Sequence, residues 1–257
     1  MTSPWRDLDR PPLREAALRA ALVGAGGLWS DIRVVGETAS TNADVVSAAG
    51  SGAPEGLVVV AEHQLAGRGR SDRRWTAPLR SGLAFSVLLR PPVPRERWGW
   101  LPLLAGLCVV EPLRPMSGLD LGLKWPNDVL VDGTRKLAGI LAEVAGDAVV
   151  VGIGLNVSLR DDERPVDSAT SLLLEGSELL DRDPVLRAVL RELAKRYRSW
   201  CDAAGDADTV GLLGAYRAAC VTLDRDVRVH LPGGRDLAGR AVDVDPSGRL
   251  LVDDGTT

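Results

Sequence analysis

Residues 121–141 read LGLKWPNDVLVDGTRKLAGIL, and this stretch indicates most directly how the chain folds. A short apolar strand comes first and ends at Pro126-Asn127-Asp128, since proline interrupts strand pairing. One further strand lies on each side of Asp132-Gly133, a dipeptide that favours the tight turn of a β-hairpin. The stretch therefore predicts three consecutive strands of a β-sheet.

The chain before and after this stretch supplies further strands and helices. Ser40 precedes one short helix as a good N-cap, and the pair Asp183-Pro184 begins a long helix with an apolar stripe on one face. The predicted helices are 13–23, 41–49, 95–111 and the long helix that ends near Trp200, and the further strands are 32–35, 57–61, 83–89 and 148–157. Up to this point the chain reads as an α/β protein.

The C-terminal part of the chain has a different pattern. After about Leu223 only short alternating strands occur, at 227–231, 237–244 and 250–252, separated by Gly- and Pro-containing turns. This predicts a small all-β domain over residues 221–257, and we would expect one or two further strands in it. The whole chain then divides into a flexible tail (1–12), a main domain (13–220) and this small domain.

Composition limits the class of protein. The chain has 257 residues, 45% hydrophobic content and a net charge of −4, which suits a globular protein and argues against a generally basic nucleic-acid surface. The first ten residues lack the apolar segment of a secretory signal. The most apolar stretch, 98–110, is shorter than the roughly 20 residues that a membrane helix needs. We therefore expect a cytoplasmic protein without a membrane partner.

Cysteine and histidine usage excludes two further classes of site. Cys108, Cys201 and Cys220 are far apart and odd in number, so they predict neither a disulfide framework nor a zinc site. His63 and His230 are the only histidines, which excludes a His-rich metal centre. No residue is assigned as a metal ligand from the sequence.

The stretch from Gln64 to Trp75 combines glycine and arginine in a way that suits anion binding. It reads QLAGRGRSDRRW, with four arginines in seven residues. Glycine lets the backbone pass close to a ligand, and arginine gives planar contacts to carboxylate or phosphate. We interpret it as a mobile loop that closes over an anion with Trp75 as an apolar lid. A solvated charged loop or an RNA-binding patch is the alternative. The pattern matches neither the P-loop nor the dinucleotide-binding fingerprint.

Lys136 stands at the start of an apolar strand pattern. A lysine is costly there unless it meets an anion. Beside a carboxylate and a phosphate it would offset their mutual repulsion. The alternative is a lysine at a strand end that reaches out to water. Gly139, three residues on, leaves space where a side chain would fill a pocket.

Two glycines inside one predicted strand, Gly152 and Gly154, indicate that a ligand or another strand approaches closely. Asn156 follows, and its paired donor and acceptor atoms suit the edge of an adenine. The two glycines are equally compatible with a β-bulge.

Five motifs of this chain occur in the order seen in biotin protein ligases, and the resemblance covers roughly residues 33–253. The motifs are Ser40-Thr41-Asn42, the Gln-x-x-Gly-Arg-Gly-Arg loop at 64–70, Lys-Trp-Pro-Asn-Asp at 124–128, Arg-Lys-Leu-Ala-Gly-Ile-Leu at 135–141 and Gly-x-Gly-x-Asn at 152–156. The segment 169–172 (Ala-Thr-Ser-Leu) is also similar to that family. Such ordered agreement is highly specific, although each motif alone is weak.

The resemblance implies an α+β fold: a catalytic domain like that of class II aminoacyl-tRNA synthetases, with a mixed sheet and flanking helices, and a small C-terminal SH3-like barrel. It also implies roles for particular residues. The implied biotin contacts are Ser40, Thr41, Asn42, Gln64, Arg68, Lys136 and Gly139; the implied nucleotide contacts are Arg70, Trp75, Asn127, Lys136 and Asn156; the implied catalytic residues are Lys136, Arg70 and Asp128.

The implied reaction uses biotin and ATP with Mg²⁺. The biotin carboxylate attacks the α-phosphate, and the resulting biotinyl-5′-AMP passes its biotin to a lysine of the biotin carboxyl carrier domain of acyl-CoA carboxylases. A lipoate or octanoate ligase or transferase on the same fold is the nearest alternative.

The chain departs from the family pattern at Asp72, where glycine is usual after Arg-Gly-Arg-x, so closure of the loop is expected to be altered. The C-terminal barrel is also shorter than usual. Because only about 39 residues with one clear helix precede Ser40, we expect the monofunctional type, without a helix-turn-helix domain and without operator DNA as a partner.

Overall fold

The computed structural model describes residues 10–71, 73–230 and 236–255. Its helices are α1 (Glu15–Leu22), α2 (Thr41–Gly50), α3 (Trp100–Ser117), α4 (Arg182–Asp202) and α5 (Leu212–Ala219). Its strands are β1 (Asp31–Val35), β2 (Leu57–Ala61), β3 (Gly67–Arg68), β4 (Arg74–Trp75), β5 (Gly82–Leu89), β6 (Leu121–Lys124), β7 (Asp128–Val131), β8 (Arg135–Ala145), β9 (Ala148–Asn156), β10 (Asp226–His230), β11 (Asp236–Val244) and β12 (Leu250–Asp253).

Seven strands form one mixed sheet in the order β1-β2-β5-β9-β8-β7-β6. Strands β1 and β2 are parallel and are joined through α2, whereas all other neighbours in the sheet are antiparallel. A parallel pair needs a crossover connection, and α2 supplies it. This connection places α2 on one face of the sheet, and short turns join the consecutive antiparallel strands β6 to β9.

The two faces of the sheet are buried to different depths. On one face α3 and α4 pack on the main core, which includes Trp100 and Trp200 at 0% exposure. On the other face α2 covers a small cluster around Val45, Val59 and Val150. Because α2 is short, it covers only part of its face, and the rest is open to the β3–β4 hairpin.

A separate three-stranded antiparallel sheet, β10-β11-β12, follows α5. Hydrogen bonds attach it to α3 and to the turn after β6. The indole of Trp100 on α3 donates to the Pro246 carbonyl at 2.8 Å, and the indole of Trp125 donates to the Gly248 carbonyl at 3.0 Å. Arg217 of α5 adds a two-pronged ion pair with Asp243 of β11. The small sheet thus contacts the residue that precedes Pro126 in the Lys-Trp-Pro-Asn-Asp motif.

The start of the described chain is bound to the fold, although residues 1–9 of the predicted tail lie outside the described residues. Arg10 forms an ion pair with Glu163, and the Leu13 amide donates to the Glu62 carboxylate at 2.7 Å. Glu62 is also ion-paired at 2.7 Å with Arg182, whose side chain is 4% exposed. Burial of both charges is tolerated because each has further polar partners.

Four local predictions differ from the structure. The segment 64–75, expected to be a loop, contains the β3–β4 hairpin, because Gly67 and Arg68 pair with Trp75 and Arg74. The helix expected at 95–111 is a short 3₁₀ turn followed by α3, which runs to residue 117 and includes two internal prolines.

The other two differences concern the start of α4 and the presence of α5. The cap of α4 is Asp181, whose carboxylate accepts from the Asp183 amide, so the helix begins before the Asp183-Pro184 pair. Helix α5 was not predicted. Its eight residues carry a glycine, and a short apolar pattern of that kind is hard to separate from a loop.

Candidate active site

A row of small residues crosses the α2 face of the large sheet. Ala84 of β5 pairs with Gly154 of β9, Gly154 pairs with Gly139 of β8, and Gly139 pairs with Asp128 of β7. Side chains in register on neighbouring strands lie side by side on one face. The row therefore forms a shallow groove with a carboxylate at one end.

The indole of Trp75 lies in this groove. A Cβ added to Gly154 would be 2.3 Å from the indole, and a Cβ added to Gly139 would be 3.3 Å from it. The β3–β4 hairpin brings Trp75 to this place, and Gly67 is required there because a Cβ on it would lie 2.4 Å from the Trp75 carbonyl oxygen. The close approach that the two strand glycines indicated is thus partly made by a tryptophan.

Lys136 and Asp128 stand at the end of the groove. The Lys136 ammonium lies 2.7 Å from Asp128 Oδ1, in an ion pair whose angles fall outside hydrogen-bond geometry. The same ammonium lies 6.0 Å from the centre of the Trp75 ring, at the outer limit of a cation–π contact. The Lys136 side chain is 32% exposed, so it remains accessible to an anion.

The backbone of Lys136 is held by the segment that resembles the family at 169–172. The Lys136 amide donates to the Ser168 carbonyl at 2.7 Å, and the Thr170 amide donates to the Lys136 carbonyl at 2.9 Å. Glu175 binds the Thr170 hydroxyl at 2.6 Å and also Arg135, the neighbour of Lys136. The backbone of Lys136 is therefore fixed through both its amide and its carbonyl by this segment.

A network of polar side chains lies beside the groove, at the start of α2: Thr41, Asn42 and Ser86 are buried, and Gln64 is half-buried. We call these four residues the buried network. The Gln64 side-chain carbonyl accepts from the Thr41 amide at 2.8 Å and from its hydroxyl at 3.1 Å. The Ser86 hydroxyl lies 2.8 Å from the Thr41 hydroxyl and 2.6 Å from Asn42 Oδ1. The network is neutral and fixed in position.

Asn42 is the most constrained member of the buried network. Its amide nitrogen donates to Glu143 at 2.6 Å and to the Leu141 carbonyl at 3.3 Å. A Cβ on Gly152 would lie only 1.9 Å from Asn42 Oδ1. Gly152 therefore makes room for Asn42, as Gly154 does for Trp75. The pairing of β9 with both neighbours is regular, so the bulge that these glycines equally suggested is absent from the strand.

Arg68 and Arg70, separated by Gly69 in the motif, have different surroundings. Arg68 forms an ion pair with Glu143 at 3.0 Å. Arg70 is exposed, and its side chain makes no hydrogen bond or ion pair with the described residues. One arginine is thus neutralised by the protein, while the other still presents its charge to solvent. Asp72 lies outside the described residues.

The two asparagines that the resemblance places at the nucleotide, Asn127 and Asn156, hold backbone segments in place. Asn127 donates from its side chain to the Ile140 carbonyl at 3.0 Å, and its own carbonyl accepts from the Ile140 amide at 2.8 Å. Asn156 is buried and donates to the Thr170 carbonyl at 2.8 Å. Ser40 is buried at the N-terminus of α2, but its side chain makes no capping hydrogen bond.

The structure brings most of the predicted residues onto one face of the sheet and adds two that sequence reasoning missed. Ser86 is a hydroxyl inside the apolar run LAFSVLL, and Glu143 is a carboxylate inside LAEVA. A lone polar residue in a buried strand was the available signal for both. Neither could be connected to α2 without knowing that β5, β9 and β8 are neighbours.

The open space at the site is small. A cavity of about 20 Å³ lies beside Trp75 and is lined in part by Gln64, Leu83 and Ala84. This is room for about one water molecule. Among the residues that the structure describes, no group of three or more His, Cys, Asp or Glu side chains could hold a metal ion. No helix in the same ranges is long and apolar enough to cross a membrane.

Comparison with known proteins places this fold and site in a class. Residues 36–158 match the model of the biotin/lipoate A/B protein ligase family, and residues 222–257 match that of the biotin protein ligase C-terminal domain. The biotin protein ligase of Aquifex aeolicus in complex with biotin and ATP superposes with a TM-score of 0.72 at 28% identity, covering 87% of this chain and 92% of that one. The fold is thus the α+β fold that the sequence implied.

Curated relatives narrow the class further. The chain is 48% identical to the biotin–[acetyl-CoA-carboxylase] ligase of Mycobacterium tuberculosis, over 97% of this chain and 93% of that protein. It is 32% identical to the bifunctional ligase/repressor BirA of Bacillus subtilis, over 92% of this chain and 72% of that protein. The chain belongs to the biotin protein ligase family.

Proposed function

We propose that this protein activates biotin with ATP as biotinyl-5′-AMP and then transfers the biotinyl group to a lysine of a carboxylase carrier domain. The observation that carries the proposal is the groove of Ala84, Gly154 and Gly139, which is covered by Trp75 and has Lys136 at its end. A buried neutral network on one side and an accessible ammonium on the other suit a ligand with a neutral head and an anionic tail. The relative in Mycobacterium tuberculosis is named a biotin–[acetyl-CoA-carboxylase] ligase.

We assign the neutral head of biotin to the side of the site formed by the buried network. A ureido ring needs neutral donors and acceptors, and Ser40, Thr41 and Gln64 supply hydroxyl and amide groups there. Asn42 belongs to the same set, although its amide is already bonded to protein groups. In the proposal it therefore fixes the shape of the head pocket.

In the first step a biotin carboxylate oxygen forms a bond to the α-phosphorus of ATP, and the bond from that phosphorus to the bridging oxygen breaks. Diphosphate leaves, and biotinyl-5′-AMP remains. Two anions must meet, so positioning and charge neutralisation are what the protein has to supply. Lys136 and Arg70 are the cations that we assign to this task, and Trp75, Asn127 and Asn156 are assigned to the nucleotide side.

In the second step the neutral amine of the carrier lysine attacks the acyl carbon of the adenylate. AMP leaves, an amide bond forms, and the amine loses a proton. Asp128 stands at the end of the groove next to Lys136, and we assign it the orientation of the incoming amine or acceptance of its proton. Exclusion of water matters in this step because the mixed anhydride would otherwise hydrolyse.

The proposal requires Trp75 to move. Trp75 occupies the groove, and the remaining cavity of about 20 Å³ is too small for biotin. Because Trp75 is carried on a hairpin of only two short paired strands, it can leave the groove at low cost and return over a bound ligand. Mg²⁺ enters the proposal with ATP, as the Mg–ATP substrate.

The partner and the location follow from the same proposal. The carrier would be the biotin carboxyl carrier domain of an acyl-CoA carboxylase, and the reaction would take place in the cytoplasm. With a net charge of −4, we expect no operator DNA to bind at physiological salt, since such binding depends on many basic contacts to phosphate. A biotin-dependent, sequence-specific gel shift of the purified protein would overturn that expectation.

We further propose that residues 13–220 are the catalytic domain and residues 221–257 a small supporting β domain. The separate sheet β10-β11-β12 supports this division, and Trp125 links the two parts through its hydrogen bond to Gly248, two residues before Asn127. Removal of the small sheet should therefore disturb the turn that carries Asp128.

One experiment tests the proposed function against its nearest alternative. The protein is incubated with ATP and labelled biotin, lipoate or octanoate, each with biotin-type and lipoate-type carrier domains. Transfer of biotin to the biotin-type carrier, with release of AMP and diphosphate, is expected. Preferred transfer of lipoate or octanoate would replace the proposal with acyl ligation of the other class.

A further inference from the structure

Glu143 lies at the junction between the buried network and the β3–β4 hairpin. It is on β8, on the same face as Gly139 and Leu141. Its Oε2 accepts from the Asn42 amide at 2.6 Å and from the Arg68 guanidinium at 3.0 Å. One carboxylate oxygen thus connects α2, the sheet and the start of the β3–β4 hairpin.

Asn42 fixes the position of the Glu143 carboxylate. Asn42 is 4% exposed, and its Oδ1 accepts from Ser86, so the side-chain amide has one orientation that satisfies both neighbours. Its nitrogen must then point towards Glu143. A carboxylate held in this way is a fixed partner for a mobile arginine, and only Arg68 must give up side-chain freedom to form the pair.

The ion pair between Arg68 and Glu143 also gives Arg68 and Arg70 different roles. Arg68 meets a carboxylate of the protein, whereas Arg70 meets none of the described side chains. An arginine paired with a carboxylate of the protein adds less to the neutralisation of a carboxylate and a phosphate than an unpaired arginine does. Its fixed position can instead hold the hairpin that carries Trp75.

We propose that Glu143 is a positioning residue that fixes the β3–β4 hairpin over the site by binding Arg68, and that Arg70 alone of these two arginines neutralises the reacting anions. This inference rests on the proposed function for its catalytic part. Arg68, which the sequence resemblance placed at the biotin head, then acts mainly by fixing the hairpin. The simpler view is a half-exposed ion pair of negligible effect, since pairs of that kind often contribute nothing measurable.

The test uses Glu143→Gln, Arg68→Met and the double variant. Glutamine keeps an acceptor for the Asn42 amide and removes the charge that Arg68 requires, so the buried network should remain intact. Asp183→Asn is the matched control: Asp183 is 23% exposed against 28% for Glu143 and pairs with Arg187 on α4, on the other face of the sheet.

The first measurement needs no ligand. Hydrogen exchange of the β3 and β4 amides should become about tenfold faster in Glu143→Gln and in Arg68→Met, and the double variant should be no faster than either single variant. The control should match the wild type. Unchanged exchange in Glu143→Gln, or additive effects in the double variant, would show that the pair does not hold the hairpin.

The second measurement follows biotinyl-5′-AMP formed on the enzyme. In Glu143→Gln its release should be about tenfold faster and the KM for biotin should rise, while adenylation at saturating biotin should stay within about twofold of the wild type. A fall in the adenylation rate at saturation with unchanged release would contradict the positioning role. Failure of the wild type to form any adenylate would instead count against the proposed function, and the exchange measurement would still decide whether Glu143 holds the hairpin.

Discussion

The buried network beside the groove and two cations, Lys136 at the end of the groove and Arg70 between β3 and β4, differ in almost every physical respect. Thr41, Asn42 and Ser86 are at most 4% exposed and are bonded to one another. Lys136 is 32% exposed, and Arg70 is exposed without a partner among the described side chains. The neutral side is complete before any ligand arrives, whereas the charged side is not.

This difference follows from the cost of burial. Neutral hydroxyl and amide groups can be buried once their hydrogen bonds are made, but a buried charge without a partner is far more costly. A site for a molecule with a neutral head and an anionic tail can therefore be preorganised on one side only. On the charged side, Lys136 is paired with Asp128, and the ligand itself supplies the counter-charge that Arg70 lacks among the described side chains. Changes on the neutral side should consequently affect stability, and changes on the charged side should affect chemistry.

The largest expected effect is on chemistry. Lys136→Ala should lower the adenylation rate by a factor on the order of 10²–10³, the scale for losing one preorganised charge-stabilising group. Binding of biotin without ATP should suffer less, and so should the transfer step started from synthetic biotinyl-5′-AMP, because its nucleophile is neutral. Biotin-dependent diphosphate release measures the first effect.

The control for this variant is Lys195→Ala, which removes a lysine that is 76% exposed on α4 and should leave the rate unchanged. Folding of Lys136→Ala should survive, because the lysine is partly exposed and, among the described residues, its ion pair is with Asp128. Diphosphate release near the wild-type rate in a folded Lys136→Ala protein would make this lysine structural.

The next effect is on stability. Gly152→Ala places a Cβ only 1.9 Å from Asn42 Oδ1. The buried network must therefore shift. We expect a loss of about 1–3 kcal/mol in the free energy of unfolding, the usual cost of overpacking, together with weaker biotin binding. Urea denaturation gives the first quantity and calorimetric titration the second.

Gly214→Ala is the matched control, since a Cβ there meets nothing within 4 Å inside helix α5. It should be neutral or stabilise by about 0.5–1 kcal/mol. Equal stability of the two variants would mean that Asn42 moves freely and that the neutral side is not preorganised.

An effect of similar size, on ligand retention and not on stability, is expected at Arg70. Removal of one charge-assisted contact to the adenylate, a contribution of about 1.5–3 kcal/mol, should make biotinyl-5′-AMP leave Arg70→Ala at least about tenfold faster.

In the wild type, limited trypsin cleavage between residues 67 and 74 should slow when biotin and ATP are added. Equal cleavage with and without ligands would remove the idea that this segment closes.

The smallest effect concerns pH. Hydrogen bonding from Arg135 holds the pKa of Glu175 below its ordinary value of 4.5, against the opposing effect of burial and with help from the Thr170 hydroxyl. A lowered folded-state pKa means that the stabilisation is complete above pH 4.5 and is lost as the pH falls through the lower value. Glu175→Gln should therefore reduce the stability gap between pH 7 and pH 3.5 by about 1 kcal/mol or less, the scale of partly exposed pairs. Urea midpoints at the two pH values measure it, and an unchanged gap would assign the acid sensitivity to other carboxylates.

Much of the fold could be predicted because its signals are local. The strand over residues 57–61 was predicted with the bounds that the structure has, because a run of β-branched residues has few alternatives. The bounds of α3 could not be predicted, since Pro112 and Pro115 argue locally for an earlier end. The helix continues through both because tertiary packing buries its apolar residues on the core.

Sequence by itself determined the five motifs, the family and the chemical types at the site: hydroxyl and amide groups early, then arginines, then a lysine with glycines after it. Only the tertiary structure decided which of these groups meet. Ser86 reaches Asn42, and Glu143 reaches Arg68, because β5, β9 and β8 are neighbours in the sheet. It also decided what each strand glycine admits, Asn42 at Gly152 and Trp75 at Gly154. The physical reason is range: propensity and spacing act over a few residues, whereas these contacts join positions 44 to 110 residues apart, and strand order alone brings them together.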